Sequence, residues 1–230
     1  IVGDEDNLFR PDDFRYYEGS IETDPAGLST LILTNLNGEA VDERRPVNIF
    51  TGVDPASSTK KTADFSVIFN IALDEHNNRF VLPYYRKRAT PLALADSIIT
   101  NFKLYRSTKT RIESVGYQEM LRQYIKEQSE RLGLFIPGLE VKENPRTSKS
   151  YRLESLQPLF ANHKIFMTKQ QLELEDELML YPRARNDDLL DGLFYANKNA
   201  YVPSHTVSSG NKKEEDSRNF YRKIVDWRLM

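Results

Sequence analysis

The chain has 230 residues, 39% of them hydrophobic, and a formal net charge of −2. This length and composition allow a substantial core, which excludes disorder throughout. With no cysteine, disulfides, a cysteine nucleophile and thiolate metal ligands are excluded. No apolar run approaches the length of a membrane span and no signal peptide is present, so no membrane association is expected. The chain starts at Ile1 rather than Met, and we expect it to be part of a longer protein.

The net charge also bears on partners. A protein that binds nucleic acid by charge alone is usually basic. Either nucleic acid is not a partner of this chain, or other parts of a larger assembly make most of the contacts with the nucleic acid.

The first part of the chain predicts consecutive strands. Residues 28–41 contain an apolar strand and an Asn-Gly hairpin turn. Residues 47–56 predict a short strand that ends at Asp54, because the proline that follows cannot donate to a ladder. Residues 64–90 predict two further strands joined by a turn. We therefore expect the first three strands to be antiparallel.

The later part predicts alternating helices and strands. Residues 91–105 have apolar side chains at helical spacing, with a proline near the start, and residues 118–133 form an amphipathic pattern that ends at a glycine. The other predicted elements are strands at 110–117, 139–143 and 164–167 and helices at 151–160, 171–181 and from about 187. The order β-β-β-α-β-α-β followed by helices is similar to that of the RNase H-like fold. It predicts an α/β protein with a mixed sheet and helices on both faces.

Acidic residues mark the ends of several of these elements. Asp54 ends a strand, Glu113 lies on a later strand, and Asp187, Asp188 and Asp191 crowd the start of an apolar helix. Like charges at this spacing repel, and a helix N-terminus favours only one or two of them. Divalent cations account for the set better, because Mg²⁺ prefers oxygen ligands. Two such ions about 3.5–4 Å apart activate water and stabilise the leaving oxygen in phosphodiester cleavage.

Each carboxylate also has a structural explanation. An aspartate before a proline, as at Asp54, is typical of a turn that ends a strand. Glu113 could be an edge-strand charge or a partner of Arg111. The run Asn186-Asp187-Asp188 could be ordinary helix capping. Asp191, one turn further in, is harder to explain by capping. The whole set, in this order and on these elements, favours a metal site.

Three segments, in order, resemble the nuclease domain of the large terminase subunit of tailed double-stranded DNA bacteriophages: FTGVDPASSTKKTADFSVI, RIESVGYQEML and RNDDLLDGLFYA. SKSYRLESLQPLFANHKIFM is similar to the basic block before the last strand of that family, with Lys149 and Arg152. The resemblance covers roughly residues 45–202. The sequence departs from the family at Asn186, where histidine is frequent, and at Gly192, where alanine is common. Neither departure removes a ligand.

The resemblance implies a two-metal DNA endonuclease with little sequence preference that uses Mg²⁺ or Mn²⁺. The implied metal ligands are Asp54, Glu113, Asp187, Asp188 and Asp191. Of these, Asp54 would bridge both ions, and Glu113 and Asp188 would complete the catalytic set. It is left open which of the three late aspartates contact metal and which only adjoin the ligands. Asp64, which follows the first motif after a short loop, is expected to assist.

The resemblance also implies a larger machine that cuts concatemeric viral DNA during genome packaging. Its partners would be double-stranded DNA, an N-terminal ATPase motor, a portal and a small terminase subunit, in the cytoplasm of the infected bacterial host at the procapsid portal. We expect the isolated domain to be monomeric. The expected division is an N-terminal linker and hairpin (1–44), the nuclease domain (45–202) and a tail (203–230). The candidate DNA contacts are Arg86, Lys87, Arg88, Lys149 and Arg152.

Two alternatives remain at this point. The chain could be a non-catalytic docking module for a portal or motor, with its acidic residues used for electrostatic binding. It could also be another RNase H-like nuclease, such as a junction resolvase, which would prefer branched DNA to linear duplex.

Overall fold

A computed structural model describes residues 7–56, 65–113, 118–139, 148–184 and 187–204. These ranges form a mixed α/β fold. The strands are β1 (Arg15–Thr23), β2 (Ser29–Leu36), β3 (Glu39–Asp54), β4 (Ser66–Asp74), β5 (Arg79–Val81), β6 (Tyr85–Lys87), β7 (Lys109–Ile112) and β8 (Ile165–Met167). The helices are α1 (Pro91–Tyr105), α2 (Gln118–Arg131), α3 (Lys149–Glu154), α4 (Gln157–Ala161), α5 (Leu172–Leu180) and α6 (Asp188–Asn197).

All the strands belong to one sheet, in the order β6-β4-β5-β8-β1-β2-β3-β7, with a further pairing between β3 and β4. The pairs β3–β7, β1–β8 and β5–β8 are parallel, whereas the others are antiparallel. Consecutive strands from β1 to β5 are antiparallel to their neighbours along the chain. The predicted mixed sheet with antiparallel first strands is confirmed.

Helices cover both faces of the sheet, as predicted. Side chains alternate along β4, and all of them are buried. Val67 and Phe69 belong to the core formed with α3 to α6, whereas Ile68 belongs to the core formed with α1 and α2. Because both faces of β4 are covered, its residues between Ser66 and Asp74 are apolar on both faces, with Asn70 as the one exception, and do not alternate with polar residues.

β3 is longer than the strand predicted at 47–56. It begins at Glu39, and its first half pairs with β2 while its second half pairs with β4 and β7. The predicted hairpin turn at Asn37-Gly38 joins β2 to the start of this strand. Its continuation between residues 42 and 46 was not predicted, because the side chains there are mostly polar and partly exposed and carry little hydrophobic signal. The expected boundary at residue 45 lies inside this strand, and residues 15–44 contribute β1, β2 and the start of β3 to the common sheet.

Prolines account for two other differences from the predicted elements. The helix predicted at 151–160 is divided into α3 and α4, because Pro158 lies in the first turn of α4 and has no N–H to continue the ladder. The segment 64–90 contains a third strand, β6, after Pro83. The strand predicted at 139–143 lies outside the described residues after Leu139, and the tail lies outside them after residue 204.

Two glycines allow α6 to lie directly on the sheet. A Cβ on Gly52 of β3 would lie 2.2 Å from the carbonyl oxygen of Gly192 and 2.3 Å from the nitrogen of Ala196, both in α6. A Cβ on Gly192 would lie 2.8 Å from Cγ1 of Val67 and 2.9 Å from Cβ of Phe69. The glycine at 192, where alanine is common in the resembled family, therefore has a packing reason in this chain.

We predict that Gly52→Ala destabilises the fold by about 3 kcal/mol or more, because the added methyl group would overlap the backbone of α6. Urea unfolding followed by circular dichroism measures this loss. Gly133→Ala is the matched control. Its φ is +63° and no heavy atom lies within 4 Å of the position that the added methyl carbon would take, so only backbone strain of about 1 kcal/mol is expected. Equal losses in the two variants would contradict the close-approach explanation.

Candidate functional site

Three elements bring the acidic residues to one end of the sheet. Asp54 ends β3, and β7 runs parallel beside it with Val53 opposite Ile112. The backbone N–H of Glu113, the next residue along, donates to the carbonyl of Val53 at 3.0 Å. α6 begins at Asp188 and packs on β3 and β4. Strand ends and a helix start therefore meet at the same edge, as the order of the motifs suggested.

The carboxylates are close enough to perturb one another. Burial raises the pKa of Asp54 well above its ordinary value, and the charge of Asp191, a hydrogen bond with Glu113 and the charge of Asp188 raise it further. Burial also raises the pKa of Asp191, although Lys149 opposes that effect. Raised pKa values of this kind are expected when several carboxylates share a poorly hydrated space. They are also frequent at functional sites.

Arg152 and Tyr195 hold Glu113. Nη1 of Arg152 donates to Oε1 of Glu113 at 3.1 Å, and the hydroxyl of Tyr195 donates to the same oxygen at 2.7 Å. Nη2 of Arg152 lies 3.6 Å from Oδ1 of Asp191. A single buried guanidinium thus connects the carboxylate after β7 with the carboxylate on α6.

Lys149 makes the shortest ion pairs of the cluster. Its Nζ lies 2.6 Å from Oδ1 of Asp187 and 2.6 Å from Oδ2 of Asp191. Burial alone would lower the pKa of Lys149, but hydrogen bonds to the two aspartates outweigh it and raise the pKa above the ordinary value. The ammonium group is therefore firmly charged between two of the predicted ligands.

The helix that carries the aspartates is capped by a different residue. Oε2 of Glu177, on α5, accepts hydrogen bonds from the backbone N–H groups of Leu189 at 3.0 Å and Leu190 at 3.4 Å. Asp187 occupies the N-cap position but makes no side-chain capping bond. The capping explanation for the late aspartates therefore does not account for Asp187, because a carboxylate from another helix performs that role.

Arg86 balances the charge on this side of the cluster. Its Nη2 lies 3.1 Å from Oε1 of Glu177 and 3.8 Å from Oδ2 of Asp188. The side chain is only 11% exposed, so it offers little surface to a phosphate. Lys87 and Arg88, which follow it, are exposed. Of the predicted DNA contacts, Arg86 and Arg152 lie among the carboxylates rather than on the surface.

Sequence reasoning missed Glu177 and Tyr195, although both leave a signal. Glu177 falls on the apolar face of α5 between Leu174 and Leu178, where an acidic residue needs a buried partner. Tyr195 lies one turn after Asp191 on the same face of α6. The identity of the partners depends on tertiary packing, which the local pattern does not contain.

The donor set suits a hard cation, but the side chains are engaged with one another. Among the described residues, no group of three or more histidines, aspartates and glutamates is arranged so that it could hold a metal ion. Lys149 and Arg152 occupy Asp187, Asp191 and Glu113 in ion pairs instead. Within the same part of the chain, the buried Oδ1 of Asp191 accepts no hydrogen bond. Asp64 and Asn186 lie outside the described ranges.

Comparisons of the structure with solved structures give consistent neighbours. The large terminase nuclease from thermophilic phage G20c matches with 17% identity and a TM-score of 0.51, over 83% of this chain and 96% of that chain. The fold is that of a terminase nuclease domain. The same G20c nuclease with bound magnesium matches with 18% identity and a TM-score of 0.49, over 83% of this chain and 95% of that one. The human cytomegalovirus terminase nuclease domain matches with 14% identity and a TM-score of 0.49, over 65% and 81%.

Comparisons of the sequence gave no match, either to a protein-family model or to a curated protein. The likeness to terminase nucleases is therefore a likeness of fold. Among the described residues, none of the helices combines the length and apolarity needed to cross a membrane.

We predict that Glu177 makes stability depend on pH. Burial raises the pKa of Glu177 to about 7 from 4.5, although Arg86 and the amide groups of α6 oppose the shift. The folded protein thus binds this proton more tightly than the unfolded chain does. The corresponding stability is fully present below pH 4.5 and is lost as pH rises through about 7.

Glu177→Gln removes this dependence, because glutamine stays neutral. Relative to wild type, we expect the variant to gain about 2–3 kcal/mol of unfolding free energy between pH 4.5 and pH 8. Urea unfolding in chelator at several pH values measures the difference. Glu173→Gln, an exposed carboxylate beside the same Arg86, controls for loss of charge there. A difference between wild type and Glu177→Gln that is independent of pH would refute the assignment.

Proposed function

We propose that the chain is a divalent-metal-dependent DNA endonuclease that cuts concatemeric viral DNA during genome packaging, with little sequence specificity. The observation that supports this most directly is the convergence of Asp54, Glu113, Asp188 and Asp191 from β3, β7 and α6. Carboxylates on separate elements are the ligands that a two-metal phosphodiester hydrolase needs. The terminase nuclease fold raises the weight of this proposal by analogy.

Asp54, Glu113 and Asp188 would hold two Mg²⁺ or Mn²⁺ ions, with Asp187 and Asp191 as further ligands or their neighbours. When bound, the metal ions would supply an activated water and stabilise the leaving oxygen. Metal binding needs deprotonated carboxylates, so the raised pKa of Asp54 means that binding releases protons.

The surrounding residues would orient these ligands. Tyr195 and Arg152 fix the carboxylate of Glu113 by hydrogen bonds to its Oε1. Glu177 fixes the first turn of α6, so that Asp188 and Asp191 project from a stationary backbone. Replacement of residues that hydrogen-bond metal ligands typically lowers metal affinity or activity about tenfold or more.

The DNA duplex would approach from the edge formed by β6. Asp54 pairs with Val67 on β4, and Val67 pairs with Arg86 on β6. This register places the β6 edge two strand spacings, or about 10 Å, from Asp54. At this edge the exposed Lys87 and Arg88 would contact phosphates of the DNA backbone. Such contacts position a duplex without reading its sequence. In the packaging assembly, a motor, portal and small subunit would supply the rest of the grip.

One observation favours the competing docking hypothesis. The described carboxylates are paired with Lys149, Arg152 and Arg86 and do not form a ready metal site. If the cluster had a purely structural or partner-binding role, these ion pairs would persist and no metal would bind. The two hypotheses differ in whether the chain binds metal and cleaves DNA.

We expect Asp54→Asn to abolish cleavage of supercoiled plasmid by the purified chain, with at least a roughly hundredfold loss of rate, while the fold is retained. Cleavage should require Mg²⁺ or Mn²⁺ and stop in chelator. Asp96→Asn changes an exposed aspartate on α1 and serves as the matched control with wild-type activity. Gel electrophoresis measures cleavage and circular dichroism the fold.

The outcomes separate the hypotheses. Full cleavage by Asp54→Asn would reject the assignment of that residue. Absence of both metal binding and cleavage in wild type would favour the docking module. Faster cleavage of four-way junctions than of linear duplex would favour the resolvase alternative.

We also predict that replacing Lys87 and Arg88 together by alanine weakens binding to linear duplex about tenfold at low salt, with a smaller salt dependence. Fluorescence anisotropy with Ca²⁺ in place of Mg²⁺ measures binding. Replacing Lys103 and Lys126, exposed lysines on α1 and α2, is the control for lost charge. An equal loss in both double variants would argue against a specific role for the β6 edge.

A further inference from the structure

Lys149 lies at the solvent side of the cluster and is paired with two of its carboxylates. Its ammonium group lies within ion-pair distance of Asp187 and Asp191, at 2.6 Å from an oxygen of each. The Asp191 side chain is 3% exposed, whereas the Lys149 side chain is 45% exposed. The buried partner is therefore fixed, and the lysine reaches it from the solvent side.

The two basic residues that pair with Asp191 differ in the freedom of their side chains. Arg152 is buried and contacts Glu113, Tyr195 and Asp191 at once, so its guanidinium cannot leave without exposing unpaired groups. Lys149 has a flexible four-carbon stem and one open side, so that rotation of its side chain would carry the ammonium into water. Of the two, only Lys149 is positioned to exchange with another cation.

We infer that Lys149 is an internal competitor for a divalent cation, which must displace its ammonium group from Asp187 and Asp191 to bind. This inference rests on the proposed metal-dependent function and adds the residue that sets the metal concentration required. An ammonium group and a metal ion held by the same carboxylates lie within a few ångströms of each other, where their repulsion is strong. Occupancy by one therefore opposes occupancy by the other.

A second observation concerns the other oxygen of the Asp191 carboxylate. Oδ1 of Asp191 is buried and accepts no hydrogen bond from the described residues, while Lys149 is bound to the other oxygen, Oδ2. Nη2 of Arg152 lies 3.6 Å from Oδ1, which is within ion-pair range but too long for a hydrogen bond, so neither basic side chain satisfies this oxygen. A metal ion with its bound waters has several coordination positions and would engage the remaining oxygen.

The test is calorimetric titration of the whole chain with Mn²⁺ in the absence of DNA. We expect Lys149→Met to bind Mn²⁺ with a Kd about tenfold lower than wild type, since its carboxylates are no longer neutralised. Lys149→Arg, which keeps the charge, should stay close to wild type. Lys169→Met, at an exposed position in the turn before α5, is the matched control and should leave the Kd unchanged.

Thermal unfolding gives a second readout that does not depend on activity. Without metal, Lys149→Met should have a lower Tm than wild type, because Asp187 and Asp191 then repel. Saturating Mn²⁺ should raise the Tm of the variant more than that of wild type, because tighter binding stabilises the folded state by mass action. This comparison also shows that the variant is folded.

The outcomes distinguish the inference from the function on which it rests. If wild type binds Mn²⁺ and Lys149→Met binds it equally well or more weakly, Lys149 is no competitor and the metal-dependent function stands. If Lys149→Met keeps the wild-type Kd for Mn²⁺ but loses DNA affinity, Lys149 is a phosphate contact and the inference is overturned. If neither protein binds Mn²⁺, both the inference and the metal-dependent function are overturned.

Discussion

Mutual repulsion among buried carboxylates is the constraint on which the arrangement of this site depends. Asp54, Glu113, Asp188 and Asp191 converge on one poorly hydrated region. At an effective dielectric constant of about 20, two unit charges about 4 Å apart interact by about 4 kcal/mol, a large fraction of the stability of an ordinary domain. The chain responds in two ways. Basic side chains lie among the carboxylates. Burial also raises the pKa values of Asp54 and Asp191, which favours their protonated, neutral forms when no metal is bound.

The internal cations come from separate parts of the chain. Arg86 lies on an edge strand, and Lys149 and Arg152 lie on the short helix α3. Their ion pairs join β6 to α5, α3 to α6, and α3 to Glu113 at the end of β7. A basic residue near an acidic site is often interpreted as a ligand contact. For the buried Arg86 and Arg152, balancing the charge of the carboxylates is the more direct explanation.

The sequence predicted the regular elements where one periodic face is buried. Residues 91–105 have that pattern and coincide with α1. Residues 42–46 of β3 and the short β6 were not predicted, since both have partly exposed polar faces and form strands only by pairing with their neighbours. Which residues neutralise the carboxylates could not be predicted either. Lys149 precedes Asp187 by 38 residues, and no local rule relates them.

The convergence of the acidic residues was predictable because it follows from topology. Parallel neighbours such as β3 and β7 end at the same end of the sheet, and the glycine pair at 52 and 192 lets α6 lie directly on β3 and β4. The same close packing leaves α6 no freedom to move its aspartates apart when they are charged. Relief of repulsion must therefore come from bound cations or protons, not from a shift of the backbone. In this structure Lys149, Arg152 and Arg86 are the cations that supply this relief.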